Sequence, residues 1–187
     1  FWKSAMPQSP PEAQVHSGSA EPSKEDESQS APAKLLFDLS AIDLKGEMVS
    51  KAGLELVIPH RGAMALLDRI VWHTPDYCRG VAVHRAQPDE FWCAGHFPPR
   101  PIMPGVIMVE IGAQLAAYLY NVRKKTTNIA VFLRIDECSF RAMVEPGQDL
   151  YVLCSEIKAS RRRFISEIQG MVDGKVAFEA QITGMTM

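Results

Sequence analysis

The side chains best suited to proton transfer in this sequence are a histidine and a glutamate fourteen residues apart, His96 and Glu110. Neutral imidazole is a competent base near pH 7, and a carboxylic acid kept protonated by apolar surroundings is a proton donor. Between them, Gly105 follows Pro104 at the point where a helix can begin, and the first amides of a helix have no internal partners. This stretch therefore offers a base, an acid and exposed amides that suit a developing negative charge.

A Pro-rich loop and a long apolar helix must position these groups. Proline lacks an amide donor and restricts the residue before it, so the loop excludes a helix before Met103. The prolines are Pro98, Pro99, Pro101 and Pro104. From Val106 to Tyr120 the only strongly polar side chains are Glu110 and Gln114, one turn apart. The run is shorter than a membrane span and has a glutamate inside it, which favours a buried core helix. We expect Gln114 to be a hydrogen-bond partner there rather than a catalyst.

The stretch GHFPPRPIMPGV and the helix after it resemble the signature of the hotdog-fold dehydratases of bacterial fatty acid synthesis, which act on 3-hydroxyacyl groups carried by acyl carrier protein. The matched positions are His96, Phe97, Pro98, Pro101, Pro104, Gly105, Val106, Glu110, Ala113 and Gln114. Further similar pieces follow the same order along the chain, and several ordered motifs are more specific than one short pattern. They are IPHR at 58–61, LLDR at 66–69, Ile135 with Asp136, EPGQ at 145–148 and DGKV at 173–176. The similarity covers residues 55–183.

The resemblance implies a dehydratase in which His96 removes a proton from C2 of the thioester and Glu110 protonates the departing C3 hydroxyl. It places the amide of Gly105 at the thioester oxygen as that oxygen gains enolate character. In the family the glutamate comes from the partner subunit, so a homodimer or a higher homo-oligomer, such as a dimer or trimer of dimers, is implied. No cofactor is implied, and no spacing of ligand-type residues indicates a metal site. His60 and Arg61 also match, and we expect them to act structurally or at the tunnel mouth.

Departures from the family pattern leave the substrate open. Residues 62–65, GAMA, replace an aromatic and proline segment of the family, so the sequence does not define the acyl chain length. One alternative is a dehydratase that also isomerises the double bond, although such relatives more often have Asp at the position of Glu110. Another is a hotdog protein that only binds acyl groups. Retention of both His96 and Glu110 favours an enzyme, because a binding protein needs no acid and base pair.

Six apolar or alternating runs predict strands. They span residues 66–72, 77–83, 129–135, 150–157, 164–172 and 176–182. Asp173 and Gly174, between the last two runs, predict a tight hairpin. One long helix and about six mostly antiparallel strands predict an α+β protein whose sheet wraps around the central helix, in agreement with the hotdog fold. His73 and His84, in or near the first strands, are expected to be ordinary surface residues.

The N-terminal extension differs in composition from the rest of the chain. Residues 1–34 are rich in Pro, Ser, Glu and Gln and are predicted to form a disordered tail. Residues 35–54 are predicted to connect this tail to the hotdog domain at 55–187, and their apolar side chains are expected to pack on its surface. There is no signal-peptide or transmembrane pattern, and the four widely spaced cysteines lack a CxxC pair. We therefore expect a cytoplasmic protein without membrane association.

Charge is distributed unevenly along the chain. Residues 1–50 contain four Lys and eight Asp or Glu and carry −4, so residues 51–187 carry +2 of the formal total of −2. These values give no indication of nucleic-acid binding, which needs a far more basic surface. Acyl carrier proteins are acidic, and we expect docking on Arg100 beside His96 and on the adjacent Arg161, Arg162 and Arg163. A solvated strand end would produce the same arginine run.

Overall fold

A computed structural model describes residues 34–187, so the predicted tail at 1–34 lies outside the described residues except for Lys34. Within this range, an antiparallel seven-stranded sheet wraps around one long helix. The predicted α+β hotdog fold is confirmed.

The sheet has the strand order β1-β2-β3-β5-β6-β7-β4, and every neighbouring pair is antiparallel. The strands are β1 (Val49–Ser50), β2 (Arg69–His73), β3 (Arg79–Arg85), β4 (Ala130–Phe140), β5 (Asp149–Ala159), β6 (Arg163–Val172) and β7 (Lys175–Thr186). All six predicted strands are present, with shifted ends. Asp173 and Gly174 both have positive φ, 48° and 75°, as the predicted hairpin requires.

Short helical segments complete the described structure. They are α1 (Lys51–Glu55) and a 3-10 turn at Gly62–Met64, while the long helix is α2 (Gly105–Lys124). The sequence did not predict β1, α1 or the 3-10 turn, because segments this short show no hydrophobic period. Pro104 occupies the position just before α2, one residue from the predicted start.

Helix α2 forms the centre of the core. A Cβ atom on Gly112 would lie 2.6 Å from Cδ1 of Ile168, so a glycine is needed for α2 to pack this closely against β6. By length and composition α2 could cross a membrane, but 67% of its apolar window is buried within the domain. Its apolar character is therefore that of a core helix, as the sequence predicted.

The outer face of the sheet is covered by the segment that precedes β1. Its apolar side chains pack over Val71, Val81, Val83 and Leu153. They are Leu35, Leu36, Phe37, Leu39, Ile42 and Leu44. Gln169 fastens the segment, because its Nε2 donates to the carbonyl of Lys34 and its Oε1 accepts from the amide of Leu36, both at 3.0 Å. Strands β2, β3 and β5 are consequently covered on both faces.

The edge strand β4 is covered far less. Ile135 pairs with Ile182 of β7, so the two side chains point to the same face of the sheet. Ile182 is 1% exposed, whereas Ile135 is 49% exposed, because α2 packs mainly against β3, β5, β6 and β7. Phe132, Leu133 and Phe140 of the same strand are also exposed. These four side chains, which we call the β4 apolar surface, are more than the scattered apolar residues of an ordinary surface.

Candidate active site

The loop that carries His96 is held by backbone hydrogen bonds. The amide of His96 donates to the carbonyl of Trp92 at 2.8 Å, and the amide of Ile102 donates to the carbonyl of His96 at 2.9 Å. The ring nitrogen Nδ1 lies 2.8 Å from the carbonyl oxygen of Ile102. A carbonyl oxygen only accepts, so Nδ1 carries the proton and Nε2 of the neutral ring is left to accept one. The loop thus fixes the ring of His96 with Nε2 as its accepting nitrogen.

The first turn of α2 presents free amides beside this loop. No side chain caps the turn, and the amides of Gly105 and Val106 have no hydrogen-bond partner among the described residues. A Cβ atom on Gly105 would lie 2.6 Å from the ring of Phe140 on β4, so a larger residue there would have to displace this half-exposed ring. The unpaired amides at a helix start remain suited to an anionic oxygen, which is the role that the resemblance implies for Gly105.

Glu110 is held by Gln114, one turn further along α2. Nε2 of Gln114 donates to Oε1 of Glu110 at 2.8 Å and to the carbonyl of Met64 at 2.9 Å. Oε1 of Gln114 accepts from the amide of Leu66 at 3.2 Å. Gln114 is therefore buried with its amide group fully engaged, and Oε2 of Glu110 has no hydrogen-bond partner among the described residues.

His60 lies on the other side of Glu110. Its Nε2 is 3.5 Å from Oε1 of Glu110, too long for a well-formed hydrogen bond. Burial lowers the pKa of His60, and although the charge of Glu110 opposes this effect, the charge of Arg61 adds to it. The ring is consequently neutral near pH 7. Arg61 donates to the carbonyls of Glu55, Ile58 and His60 and so fixes the turn that places His60 against the proposed acid.

A small, mostly apolar cavity opens beside Glu110. It has a volume of ≈ 40 Å³, with His60, Glu110 and Gln114 as its polar wall. The other wall residues come from α2, β4, β6 and β7 and include Ala113, Ala117, Val131, Phe132, Phe164 and Ile182. Sites for small-molecule ligands commonly measure about 300 to 1,000 Å³. The cavity of one chain is therefore much smaller than such a site, and Phe132, one of the exposed side chains of β4, lies in its wall.

One chain does not bring His96 and Glu110 into contact. Within the described residues, the ring of His96 contacts Ile102 and stacks on Phe97, whereas the carboxyl group of Glu110 contacts Gln114 and His60. Each chain thus orients the imidazole of His96 and the carboxyl group of Glu110 separately.

The arginines predicted to dock a carrier lie at opposite ends of α2. Arg100 lies before the helix start and forms an ion pair with Glu145 at 2.6 Å. Arg161, Arg162 and Arg163 lie at the β5–β6 connection, which Tyr120 near the helix end binds by donating to the carbonyls of Ser160 and Arg161. From Gly105 to Tyr120 the helix rises by about 22 Å, at about 1.5 Å per residue. The four arginines of one chain therefore do not form one continuous surface, and the carrier docking expected from the sequence stays a prediction.

The surface position expected for His84 is also wrong. His84 is 3% exposed, with Nδ1 2.6 Å from the carbonyl of Leu66 and Nε2 3.0 Å from Oε1 of Glu90. It is buried because both faces of β3 are covered. The unbroken run GVAV at 80–83, in place of an alternating pattern, is typical of a strand buried on both faces and was the signal available in the sequence.

Solved structures of other proteins share this fold. A structure of the dehydratase heterocomplex ApeI:P from Xenorhabdus doucetiae matches with a TM-score of 0.61 and 13% identity over 72% of this chain and 90% of that one. A hypothetical thioesterase protein with coenzyme A from Streptococcus pneumoniae matches with a TM-score of 0.51 and 9% identity over 64% and 84%. A phenylacetic acid degradation protein from Thermus thermophilus matches with a TM-score of 0.50 and 17% identity over 66% and 96%. At these identities the likeness shows the fold alone.

A curled antiparallel sheet around one apolar helix is the architecture of a hotdog protein, and here a glutamate on the helix and a histidine on the loop before it form the candidate site. The family model described as FabA-like domain matches residues 58–181, which is more than half of the chain. The chain therefore belongs to the FabA-like domain family, in agreement with the resemblance found in its sequence.

Replacing Gln114 with Leu is expected to lower the free energy of unfolding by about 1 to 3 kcal/mol, because the amide of Leu66 would be buried without a partner and the carbonyl of Met64 would lose its donor. Urea unfolding measures the change. Gln181→Leu on β7 is the matched control, since the side chain of Gln181 forms no hydrogen bond within the described residues. Equal losses in the two variants would contradict the role assigned to Gln114.

Proposed function

We propose that this protein dehydrates 3-hydroxyacyl groups carried by acyl carrier protein to trans-2-enoyl groups, in the cytoplasmic synthesis of fatty acids or of a related lipid or polyketide. The observation that carries the proposal is the orientation of two proton-transfer groups. The hydrogen bond to Ile102 leaves Nε2 of His96 as an acceptor, and the hydrogen bond from Gln114 leaves Oε2 of Glu110 for a substrate. Membership of the FabA-like domain family supports the same chemistry.

The proposed reaction is a balanced loss of water across C2 and C3. Nε2 of His96 takes the C2 proton, and the electron pair of that bond moves towards the thioester carbonyl. The amide of Gly105 donates to the carbonyl oxygen as it gains negative charge. The electrons then form the C2–C3 double bond as the C3 hydroxyl leaves with a proton from Oε2 of Glu110. The products are the enoyl thioester and water.

The complete site is proposed to form between two copies of the chain. The free edge of β4 has unpaired backbone groups, and Phe132 of the β4 apolar surface lines the cavity at Glu110. A second copy that pairs with this edge would cover the exposed side chains. The base of one chain and the acid of the other would then face the same substrate. This arrangement explains why one chain orients His96 and Glu110 without bringing them together.

Carrier docking is proposed on the basic hairpin patch, which consists of Lys124, Lys125, Arg161, Arg162 and Arg163. All five side chains are exposed, and none forms an ion pair with a carboxylate of the described residues. Tyr120 holds the patch together, because its hydroxyl binds the hairpin and Lys124 lies over its ring at 5.9 Å. By contrast, Glu145 partly neutralises Arg100. An acidic carrier would be steered to the patch by charge.

A direct assay separates the candidate activities. The purified protein is mixed with a 3-hydroxyacyl carrier substrate, and the products are identified by mass spectrometry. We expect an enoyl carrier with a mass lower by one water. Release of free carrier thiol and a hydroxy acid would instead show a thioesterase, an activity named for one protein of this fold. A shifted double bond would show a dehydratase that also isomerises, and binding without turnover would show an acyl-binding protein.

Replacing both Arg161 and Arg162 with Glu is expected to lower kcat/KM on the carrier substrate by about tenfold at low salt, mainly by slowing association. Turnover of a short carrier-free thioester should be unchanged. The difference from wild type should shrink as salt is added, because screening weakens long-range attraction.

Lys175→Glu provides the matched control for this charge reversal. Lys175 is an exposed cation at the β6–β7 turn, the end of β6 opposite to Arg163. If Lys175→Glu reduced turnover on the carrier substrate as much as the arginine variant, net charge rather than the basic hairpin patch would be responsible.

A further inference from the structure

Buried His84 lies between two hydrogen-bond acceptors. Its Nδ1 is 2.6 Å from the carbonyl oxygen of Leu66, and its Nε2 is 3.0 Å from Oε1 of Glu90. The second contact is close but poorly directed, so it is an ion-pair contact rather than an aligned hydrogen bond. A ring with an acceptor at each nitrogen is best satisfied when both nitrogens carry protons. The surroundings of His84 therefore favour the imidazolium form.

The contacts of Glu90 lead from His84 to the loop of the proposed base. Oε2 of Glu90 accepts from the indole Nε1 of Trp92 at 2.8 Å, and Oε1 accepts from the amide of Gln87 at 3.1 Å. The carbonyl of Trp92 accepts from the amide of His96 at 2.8 Å. Glu90 thus connects the buried imidazolium to the turn on which His96 is placed.

The contact with Leu66 leads from His84 to the proposed acid. While the carbonyl of Leu66 faces His84, its amide donates to Oε1 of Gln114 at 3.2 Å. Gln114 in turn donates to Glu110 at 2.8 Å. One chain therefore contains an unbroken series of polar contacts from Glu110 to His96 with His84 at its centre. If each site of a dimer takes His96 from one chain and Glu110 from the other, this series would connect Glu110 in one site to His96 in the second site.

We propose that His84 and Glu90 are positioning residues for the dehydration proposed above, on which this inference rests. His84 holds the His96 loop through Glu90 and Trp92. Through Leu66 and Gln114 it also supports the carboxyl group of Glu110. Neither His84 nor Glu90 touches the substrate, and both act through the residues that do. A displacement of about 1 Å at a reacting group can cost on the order of 10²-fold in rate, so a fixed loop matters for turnover.

The electrostatics of the pair agree with this geometry. Burial alone would lower the pKa of His84, but the close contact and charge of Glu90, together with the carbonyl of Leu66 and the charge of Asp68, raise that pKa above its ordinary 6.5. Burial would raise the pKa of Glu90, but His84 and the amide of Gln87 lower it below its ordinary 4.5. Asp68 is the other acidic group acting on His84, and it is itself bound by Lys51 and by the amide of Arg85.

These directions define the pH range in which the pair stabilises the fold. The contribution of His84 is complete below pH 6.5 and is lost as the pH rises through its raised pKa. The contribution of Glu90 is complete above pH 4.5 and is lost as the pH falls through its lowered pKa. The charged pair is therefore fully present between these values and persists somewhat beyond both.

His84→Asn and Glu90→Gln test the proposal separately and together in the full-length protein. In His84→Asn, the shorter side chain keeps a donor for the carbonyl of Leu66 but has no positive charge to face Glu90. In Glu90→Gln, the side chain keeps an oxygen that can accept from Trp92 but has no negative charge. Each variant is expected to lower kcat by about tenfold with little change in KM, and the double variant to lose no more than either alone, because contacting residues act as one unit. The imidazole NMR signals of His96 should shift in all three variants.

Arg85→Gln is the matched control, because Arg85 is the next residue on β3 and forms an exposed ion pair with Asp149 outside this series. It should leave kcat and the His96 signals unchanged. If folded Glu90→Gln kept wild-type kcat and unshifted His96 signals, the proposal would be overturned, even if His84→Asn failed to fold. Equal losses in Arg85→Gln, or additive losses in the double variant, would also overturn it.

One outcome separates this inference from the proposed function. If the wild type did not dehydrate the substrate while the His96 signals still shifted in the variants, the proposed function would be wrong and the structural link between His84 and His96 would stand.

Discussion

Replacement of His96 by Ala, or of Glu110 by Gln, is expected to reduce dehydration by on the order of 10² or more, since each removes one proton-transfer group. Both proteins should remain folded. The backbone hydrogen bonds of the His96 loop do not involve its side chain, and Gln at position 110 keeps an acceptor for Gln114. Steady-state turnover and thermal unfolding measure the two effects. A fall in melting temperature large enough to explain the lost turnover would remove the support for direct roles.

Mixing the two inactive variants should restore activity if each site takes His96 from one chain and Glu110 from the other. With free exchange, about a quarter of the wild-type turnover is expected, because half of the dimers are mixed and each has one intact site. The control is His96→Ala mixed with the double variant, in which no pairing supplies a base. Absence of recovery in the first mixture, with exchange demonstrated by labelled subunits, would exclude a shared site.

The fold could be predicted from this sequence because its main elements are long and differ in pattern. The apolar run after Pro104 is too continuous for a surface helix, and strands such as β7 alternate clearly between apolar and polar residues. The boundaries were less accurate: β4 extends to Phe140, beyond the predicted end at Ile135. β4 carries irregular register shifts and exposed apolar residues, so its pattern fits neither a buried nor a half-buried strand.

The candidate site could be predicted from the sequence where its residues lie close together along the chain. His96, Gly105, Glu110 and Gln114 occupy one loop and one helix, so their spacing alone relates them. The roles proposed for His84 and Glu90 depend on packing between β3, the loop after it and the segment at Leu66. Contacts of this kind join residues that are distant in sequence, and no local pattern encodes them.

The proposed docking surface illustrates a related limit of sequence reasoning. Arg100 and the run at 161–163 were grouped by charge and by resemblance, yet α2 separates them and Glu145 pairs with Arg100. Lys124 and Lys125 belong to the basic hairpin patch because Tyr120 binds the hairpin to the end of α2, where these two lysines lie. A net charge of +2 over residues 51–187 does not reveal such a concentration at one end of the helix.

Replacing Ile135 with Lys is expected to give a monomer that has lost at least about 10²-fold in dehydration, because the proposed site cannot form without a second chain. Ile135 lies on the inner face of the edge strand, where 49% of its surface is exposed in one chain. Burying a large apolar side chain contributes about 1.5 to 3 kcal/mol, and an unpaired charge at the same place would oppose association strongly. Sedimentation measures the oligomeric state of the variant, and turnover is measured at the same concentration.

Ile157→Lys is the matched control for this last variant, because Ile157 of β5 is 51% exposed and lies away from the β4 apolar surface. The same substitution at nearly the same exposure should leave both the dimer and its activity intact. Addition of His96→Ala protein, which retains Glu110, should not rescue Ile135→Lys, since that variant cannot pair through its own β4. An active monomer of Ile135→Lys would show that one chain completes the site by itself. Equal dissociation of both lysine variants would show that the two copies associate through a surface other than β4.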